Sequence, residues 1–331
     1  MNVKTSNHLL LGVLLIFLSA QVLARETGFS VLFYNVENLF DTINTPHKND
    51  SEFTPQGNKE WNRSRYYRKL QNIYKVVAAA GKWDTPKIVA LCEVENRAVL
   101  EDLISKTPFN RLSYKICHFE SPDRRGIDVA ILYDSVYIEK TEAFPIKVSL
   151  QGNRATRDIL HFKFKYAESS FYLFVNHWPS RYGGQYKSEK NRLKASDILR
   201  IHIDSVVSGT PKARIIVTGD FNDTPTDESL KKLCANTSLF NLSNNMLNED
   251  VLTISYGGEW FLFDQFMVSG NLLNASCDWA IKENRFEIIK TESLLKETKN
   301  GNIFPFRTYN GPHYTGGYSD HLPILLELFT D

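Results

Sequence analysis

Eight short strand-like runs, spread from residue 31 to residue 329, limit what this chain can fold into. They are VLFYN (31–35), IVALCEV (88–94), DVAILY (128–133), LHFKFKY (160–166), FYLFVNH (171–177), RIIVTGD (214–220), LFDQFMVS (262–269) and PILLELF (323–329). Some alternate apolar and polar residues, as half-buried strands do, and others are continuously apolar, as strands buried on both faces are. Helical spacing occurs at 61–80 and 188–207, where Ser188 can cap the second helix. Two packed sheets flanked by helices fit this mixture best.

The first 24 residues have the pattern of a secretory signal. Lys4 precedes an apolar run at 9–18, and Val22, Leu23 and Ala24 follow at the place where signal peptidase cuts. The run is too short to span a bilayer comfortably, and no Cys follows it closely. We therefore expect cleavage near Ala24, a secreted or periplasmic protein, and no stable membrane anchor.

The remaining residues, 25–331, predict one domain. No repeat, low-complexity tract or Pro/Gly-rich linker divides them. Polar stretches at 42–62, 181–187 and 241–250 interrupt the strand pattern, and such loops often carry substrate contacts. We also expect a monomer.

Charge and cysteine content narrow the function classes. Loss of the signal lowers the number of lysine and arginine residues from 39 to 38, which equals the number of acidic residues, 38. A neutral chain does not hold nucleic acid or anionic lipid by bulk charge, so a phosphate group would be bound locally, by a metal or a few basic groups. The four cysteines, whose spacings do not resemble a zinc site, allow three disulfide pairings in an exported protein, although buried free thiols are equally ordinary. They are Cys92, Cys117, Cys234 and Cys277.

Polar side chains stand inside or at the ends of these apolar runs, where a core strand does not need them. They are Asn35, Glu93, His177, Asp220, Asn222, Asp264, Asp320 and His321. An unpaired buried carboxylate costs about several kcal/mol, so several of them together suggest a shared cation. Ligands that are all oxygen favour a hard ion, which means magnesium, manganese or calcium.

Each of these signals also has an ordinary structural explanation. GDFND (219–223) could be a turn, because Asp, Asn and Gly are turn formers. His177 could be a hydrogen-bonded structural histidine, and Asp320 with its neighbour could be a solvated strand entry. Glu93 could be paired with an arginine, and Asp128 could cap a loop. One metal–phosphate site explains all of them together, whereas the structural explanation needs a separate reason for each.

Eight motifs in a fixed order carry a resemblance that runs from Ser30 to the C-terminus. They are FYNVENLFD, ALCEVEN, RRGIDVAILYD, TRDIL, VNHWPSR, VTGDFNDTP, FDQFMVSG and YSDHLPI. The sequence resembles the endonuclease/exonuclease/phosphatase superfamily, in a secreted bacterial-type form. That superfamily includes pancreatic deoxyribonuclease I, apurinic endonucleases, inositol polyphosphate phosphatases and bacterial sphingomyelinases. The resemblance implies a four-layer α/β/β/α sandwich of two mainly antiparallel sheets, with the site at one rim of the sheets.

The resemblance also implies a metal centre and a base. Asn35 and Glu93 stand where the superfamily has metal ligands, with Asp320 nearby. His321, paired with Asp264, resembles the base that activates water. A carboxylate-backed imidazole suits this role, because its unperturbed pKa is close to working pH.

Four further residues match superfamily positions that contact the phosphate or the water. Asp220 is the rival base, and Asn222 resembles the group that orients the phosphate or the nucleophile. His177 resembles the histidine that binds the phosphate or protonates the leaving oxygen. Arg157 stands where relatives have a phosphate-facing arginine, while Asp128 is expected to hold a loop.

The substrate stays open between a nucleic acid and a small or lipid phosphate. For a nuclease, the segment RYGGQYKSEKNR (181–192) places basic and aromatic residues beside His177, although such clusters are often only solvated surface. They are Arg181, Tyr182, Tyr186, Lys187, Lys190 and Arg192. For a phosphatase or phosphodiesterase on small or lipid phosphates, the fold is equally suitable. A non-catalytic binding protein would have lost a metal ligand or a histidine, and the sequence shows neither loss.

Overall fold

Two mixed β-sheets lie face to face in the computed structural model, which describes residues 27–82, 84–150, 152, 154–273 and 278–330. In chain order the strands are β1 (Thr27–Leu39), β2 (Ile88–Val94), β3 (Tyr114–His118), β4 (Asp128–Asp134), β5 (Ile138–Ile146), β6 (Ile159–Tyr166), β7 (Ser169–His177), β8 (Arg214–Asp220), β9 (Leu239–Asn241), β10 (Ile254–Tyr256), β11 (Glu259–Phe261), β12 (Asp264–Ser269), β13 (Ala280–Ile281), β14 (Glu287–Ile288), β15 (Leu295–Glu297), β16 (Ile303–Pro305), β17 (Tyr309–Asn310), β18 (His313–Tyr314) and β19 (Ile324–Thr330). The first sheet has the order β13-β19-β1-β2-β4-β3, with β14 also paired to β19. The second sheet has the order β5-β6-β7-β8-β12-β9.

Each sheet contains a parallel pair in an otherwise antiparallel arrangement. In the first sheet β1 runs parallel to β2, and in the second β7 runs parallel to β8. A parallel pair needs a crossover connection, and a helix supplies it in both cases. These helices are α1 (Arg63–Gly81) and α3 (Gln185–Gly209), while α2 (Arg97–Ser105) and α4 (Glu228–Ala235) follow β2 and β8.

The continuously apolar strands are buried on both faces. In β7, Leu173 packs between the sheets, whereas its neighbour Phe174 packs in the cluster that contains α3 and α4. In β8, Ile216 likewise packs between the sheets, and its neighbour Val217 packs in the cluster with α3 and α4. Because successive strand residues point to opposite faces, an uninterrupted apolar run marks a strand with a covering layer on each side. The predicted α/β/β/α sandwich of two flanked sheets is confirmed.

All eight predicted strand runs are strands, and both predicted helices are present. The prediction that Ser188 caps the second helix is wrong, because α3 begins one turn earlier and its N-cap is Gly184. Ser188 lies inside the first turn, where its hydroxyl donates to the Gly184 carbonyl at 2.9 Å. The sequence did not predict the two short helices α2 and α4.

The remaining predictions concern the cysteines, the first 24 residues and the membrane. Cys92, Cys117 and Cys234 are free thiols, and Cys277 lies outside the described residues, as does the predicted signal at residues 1–24. Within the described ranges, no helix has the length and apolar character needed to cross a membrane.

Candidate active site

Six of the predicted site residues meet at one rim, where strands of both sheets end or begin. The carboxyl ends of the two parallel pairs bring Asn35, Glu93, His177 and Asp220 to this rim, and the antiparallel β12 and β19 bring Asp264 and His321. The register places Asp220 beside His177 on β7 and beside Asp264 on β12. An apolar strand core thus positions a polar group at each of these ends.

A backbone irregularity directs Glu93 into this rim. The pairing of β2 slips between Cys92 and Val94, and Glu93 itself has a positive φ of 63°. The facing strand β1 has a matching irregularity, where Asn38 (φ 57°) donates its N–H to Glu93 Oε2 at 2.9 Å. A side chain other than Gly in this conformation costs about 1–3 kcal/mol, and bulges of this kind re-aim a side chain. The backbone at Glu93 is therefore locally strained, and this conformation turns the Glu93 carboxylate toward the site.

A hydrogen-bonded carboxylate–imidazole pair lies at the centre. His321 Nδ1 is 2.7 Å from Asp264 Oδ2, and both side chains are buried. The other ring nitrogen, Nε2, faces Asp220 Oδ2 at 3.8 Å. Asp264 fixes the orientation of the imidazole in this way, so that Nε2 is the nitrogen available to a substrate or water.

The two histidines of the site have opposite electrostatic environments. Burial alone would lower the pKa of His321, but the charges of Asp264 and Asp220 and the hydrogen bond to Asp264 raise it well above its ordinary value. Burial lowers the pKa of His177 far below its ordinary value, and Arg157 and Arg125 add to this effect. His177 is therefore neutral at working pH, whereas His321 in this arrangement holds a proton.

Asp220 connects most of the groups at the rim. Its Oδ2 accepts from Asn35 Nδ2 at 3.1 Å, and its Oδ1 accepts from the Asn222 backbone N–H at 2.9 Å. Burial raises the pKa of Asp220 to about 6, against the opposing charge of His321. Asn222 has a positive φ of 51°, and its side chain donates to the Trp178 carbonyl at 3.1 Å, which fixes the turn after β8.

The arginines expected to bind phosphate are engaged with the protein itself. Arg157 is buried, with Nη1 3.2 Å from Asp123 Oδ2 and Nη2 donating to the Trp178 carbonyl at 2.6 Å. Arg181 donates to Asp227 Oδ2 at 2.7 Å and to the Asn222 carbonyl at 2.8 Å.

Arg192 is fully buried, and its Nε lies 2.7 Å from Asp223 Oδ1, so the structure places it under the site rather than at the phosphate. Tyr182, by contrast, is 93% exposed.

Two half-exposed arginines near the site did not stand out in the sequence. Arg125 lies close enough to His177 and Arg157 to lower the pKa of both, and its Nε lies 3.8 Å from Asp123 Oδ1. Arg307 donates to Asp320 Oδ2 at 2.6 Å. Asp320, which the sequence predicts near the metal, is therefore paired with Arg307. Nothing in the spacing of the sequence singles out Arg307 as its partner.

Comparison with known proteins gives the family. The model of the Endonuclease/Exonuclease/phosphatase family matches residues 30–330. The chain belongs to this family. Enzymes of the family hydrolyse phosphoester bonds and generally depend on a divalent metal. The superfamily resemblance read from the eight motifs is thus confirmed. The sequence matches no curated protein at a significant level.

Solved structures with the same fold come from several kinds of organism. An endonuclease/exonuclease/phosphatase family protein from Bacteroides thetaiotaomicron has a TM-score of 0.60 at 17% identity, covering 93% of this chain and 99% of its own. The mannosyl-6-phosphatase of the same organism has a TM-score of 0.58 at 17% identity, covering 91% and 99%. TDP2 from D. rerio, complexed with a single-strand DNA product, has a TM-score of 0.58 at 15% identity, covering 92% and 100%. At these identities the likeness shows the fold.

The rim has the donors that a divalent cation of this family requires. Glu93 is 13% exposed on its side chain, and its Oε1 faces His177 Nε2 at 3.9 Å, beyond hydrogen-bonding distance. Asp264 Oδ1 is buried and has no hydrogen-bond partner among the residues that the structure describes, and three carboxylates share this small volume. Crowded carboxylates of this kind call for a cation, and oxygen donors suit a hard one. Glu93 and the Asn35 amide oxygen fit as its ligands.

A second group of potential ligands lies on β3 and β4. The ligand atoms of His118, Glu120 and Asp128 are within 4.8 Å of one another. Asp128 already holds the intervening loop, because its Oδ1 accepts from the Ser121 N–H at 2.9 Å and its Oδ2 lies 3.2 Å from His118 Nε2. This geometry agrees with the loop-holding role expected for Asp128.

Proposed function

We propose that the protein is an exported, magnesium-dependent phosphodiesterase that cleaves nucleic acid with an activated water. The observation that carries the proposal is the convergence of Glu93, Asp220, His177 and the His321–Asp264 pair at one rim. Water activation, charge neutralisation and contact with a phosphate oxygen are the three functions that phosphodiester hydrolysis needs. Each of them has a group of suitable chemistry at this rim.

His321 is the residue that we assign as the base. Asp264 holds Nδ1, so that Nε2 faces the site and can take a proton from water. Asn35 and Glu93 would hold a cation that neutralises charge on the phosphate oxygens. Its charge would also offset the neighbouring carboxylates and lower the pKa of His321. Asp220, 3.8 Å from Nε2, is the rival acceptor of that proton.

His177 is better suited to binding the phosphate than to protonating the leaving oxygen. Its pKa is far below its ordinary value because of burial, so a proton is not available for transfer at neutral pH. Its Nδ1 is buried and has no hydrogen-bond partner in the described part of the chain, and its Nε2 lies 3.7 Å from Asp220 and 3.9 Å from Glu93. A neutral ring donates one N–H, which can stabilise a non-bridging oxygen.

A phosphatase acting on small or lipid phosphates is the second candidate. The observation in its favour is that Arg157, Arg181 and Arg192 are held by protein carboxylates. Arg125 and Arg307 are half-exposed cations near the site, and Arg307 is itself paired with Asp320 at 2.6 Å. Two cations suffice for one phosphate group but not for a long backbone. For the nuclease, support comes from exposed Tyr182 and from the fold shared with TDP2 of D. rerio, which was solved with a single-strand DNA product.

A substrate panel tests the proposal. Purified protein, with magnesium or with EDTA, is incubated with plasmid DNA, RNA, bis-p-nitrophenyl phosphate, inositol phosphates and a sugar phosphate. We expect magnesium-dependent cleavage of nucleic acid and of the synthetic diester, and no phosphate release from monoesters. Release of phosphate from monoesters alone would establish the second candidate, and full turnover in EDTA would contradict the metal-dependent centre.

A further inference from the structure

A two-stranded hairpin, β10 and β11, stands at the mouth of the candidate active site. Its first residue, Ile254, forms a β-bridge with His321, which we assign as the base. The preceding Thr253 accepts the backbone N–H of Asp264 on its Oγ1 at 3.2 Å, and its carbonyl accepts the N–H of Leu322. The base of this hairpin is therefore fixed to both members of the carboxylate–imidazole pair.

One face of the hairpin continues a row of aromatic side chains that begins with Phe263, which is 8% exposed and lies under Arg181. Phe261 is paired with Ile254, and Tyr256 is its diagonal neighbour on the same face, within reach of an aromatic side chain. The Phe261 ring lies 5.4 Å from the Phe263 ring, and the Arg181 guanidinium lies 4.7 Å above Phe263. Arg181, Phe263, Phe261 and Tyr256 thus form a strip, which we call the aromatic strip, that runs outward from the site.

Two tyrosines at this strip are open to solvent. Tyr256 is 80% exposed near the hairpin tip, and Tyr182, which follows Arg181 in the chain, is 93% exposed. At the tip, Gly257 and Gly258 have positive φ, and a side chain added there would meet nothing within 4 Å. One exposed tyrosine is ordinary on a protein surface. Tyr256 on the aromatic strip, which is anchored to the catalytic pair, and Tyr182, which is next to Arg181 in the chain, both leave ring faces free for a planar group of the substrate.

We infer that the aromatic strip binds the unpaired bases of single-stranded nucleic acid, with Tyr256 and Tyr182 stacking on bases that flank the cleaved phosphate. The inference rests on the nuclease function proposed above. Base faces are accessible only when the strand is unpaired, and an aromatic platform beside a few cations is the usual means of holding it without sequence preference. Two half-exposed arginines are sufficient under this inference, because stacking supplies binding energy that phosphate contacts do not.

The hairpin is less suited to a bilayer than to a strand of nucleic acid. Glu259 is paired with Tyr256 at the tip, so that a charge would enter the membrane together with the ring. Trp260, on the opposite face, is partly buried against the core between the sheets and is not presented at the surface. The exposed rings are therefore tyrosines at a charged tip, which favours a polar, stackable ligand.

Three variants test the inference in the mature chain. Tyr256→Ala removes the ring, Tyr256→Phe retains the stacking face, and Tyr137→Ala removes a 49% exposed tyrosine from the turn between β4 and β5, at the opposite end of the strands. The first measurement is KM for single-stranded oligonucleotides of two and of eight nucleotides. The second is the Kd of a fluorescent eight-nucleotide strand in EDTA, which does not depend on catalysis.

Wild-type protein should have a lower KM for the octanucleotide than for the dinucleotide. Tyr256→Ala should weaken binding of the octanucleotide about tenfold, the order expected for the loss of one stacked base, and should remove the preference for length. Tyr256→Phe should restore both properties, and Tyr137→Ala should behave as wild type.

Two results would overturn the inference, and each is separable from failure of the proposed nuclease. Equal oligonucleotide affinity in wild type and Tyr256→Ala, in a protein that cleaves nucleic acid, would remove the aromatic strip from strand binding. Loss of sedimentation with phosphatidylcholine–phosphatidylserine vesicles in Tyr256→Ala, with oligonucleotide affinity unchanged, would make the hairpin a membrane contact. If no nucleic acid is cleaved, the nuclease proposal fails first, and the Kd in EDTA still decides whether the strip binds a strand.

Discussion

His161 predicts a measurable loss of stability in mild acid. Its imidazole is buried in the second sheet, stacked on Phe144 with ring centroids 4.3 Å apart. Among the described residues its Nε2 has no hydrogen-bond partner, since Glu142 Oε2 lies 3.8 Å away. Burial, followed by the charges of His202 and Lys163, lowers its pKa to about 4. The replacement His161→Phe keeps a ring of similar size on Phe144 and removes the titration.

The magnitude follows from the difference between the folded and unfolded pKa. An unfolded histidine titrates near about 6.5, so the shift of about 2.5 pH units is worth about 3 kcal/mol at its limit. Above about pH 6.5 both states are neutral and the effect is absent. As the pH falls toward 4, the unfolded state binds a proton that the folded state does not, and wild type loses this stability relative to His161→Phe.

Urea unfolding at pH 7.5, 6.5, 5.5 and 4.5, followed by tryptophan fluorescence, measures the effect. We expect the free-energy difference between His161→Phe and wild type to move by about 2–3 kcal/mol in favour of the variant over this range. The exposed His313→Phe replacement is the control, and its difference from wild type should stay constant. A difference for His161→Phe that does not change with pH would refute the assignment of His161 as a buried neutral imidazole.

Four further changes test the site and its surroundings. Glu93→Ala should lower the rate about a thousandfold or more and abolish the heat of Mn2+ binding in calorimetry while thermal unfolding stays cooperative, because a metal ligand is lost. Asp264→Asn should cost about a hundredfold or more in kcat at an almost unchanged KM, and a normal kcat would exclude the pair as catalytic. Arg192→Met should destabilise by about 2 kcal/mol, since buried Asp223 would lose the nearer of its two arginine partners and keep Arg181 at 3.2 Å, and a stability within error of wild type would contradict that ion pair. N-terminal sequencing of the mature protein should begin near Arg25, and a chain that starts at Met1 in the cytoplasm would exclude export.

The fold could be predicted from the sequence to a large extent because the apolar runs are unambiguous. A strand such as β8, with a covering layer on both faces, has an uninterrupted apolar run, Ile215 to Val217, between Arg214 and Thr218, so its position is visible in the letters RIIVTGD. The helices α2 and α4 are not evident in the sequence because they span only nine and eight residues, too few turns for a helical repeat to stand out. Asn96 caps α2 through its side chain, which is a signal that sequence inspection could have used.

The role of a site residue could be predicted only where that residue stands at a defined position of a superfamily motif. Asp264 and His321 are 57 residues apart and lie 2.7 Å from each other, a contact that only the superfamily resemblance suggested. The arginines were predicted less well, since charge in a sequence does not show which carboxylate lies opposite. Arg192 was expected at the phosphate because of its basic neighbours, yet Asp223 binds it in the interior.

The two parallel pairs also have a consequence for the order in which the chain folds. The segment from β1 through α1 to β2 pairs Val31 with Ile88, 57 positions apart, and the segment from β7 through α3 to β8 pairs Phe171 with Arg214, 43 positions apart. Both closures are shorter than the 185 positions that separate Asn35 from Asp220 at the rim. The rim is different, because Asn35 and Glu93 come from one segment and His177 and Asp220 from the other. Secondary structure can therefore be regained while the two segments are still separate. After a jump out of urea, we expect ellipticity to recover first and enzymatic activity to return in a later phase, when the two sheets dock.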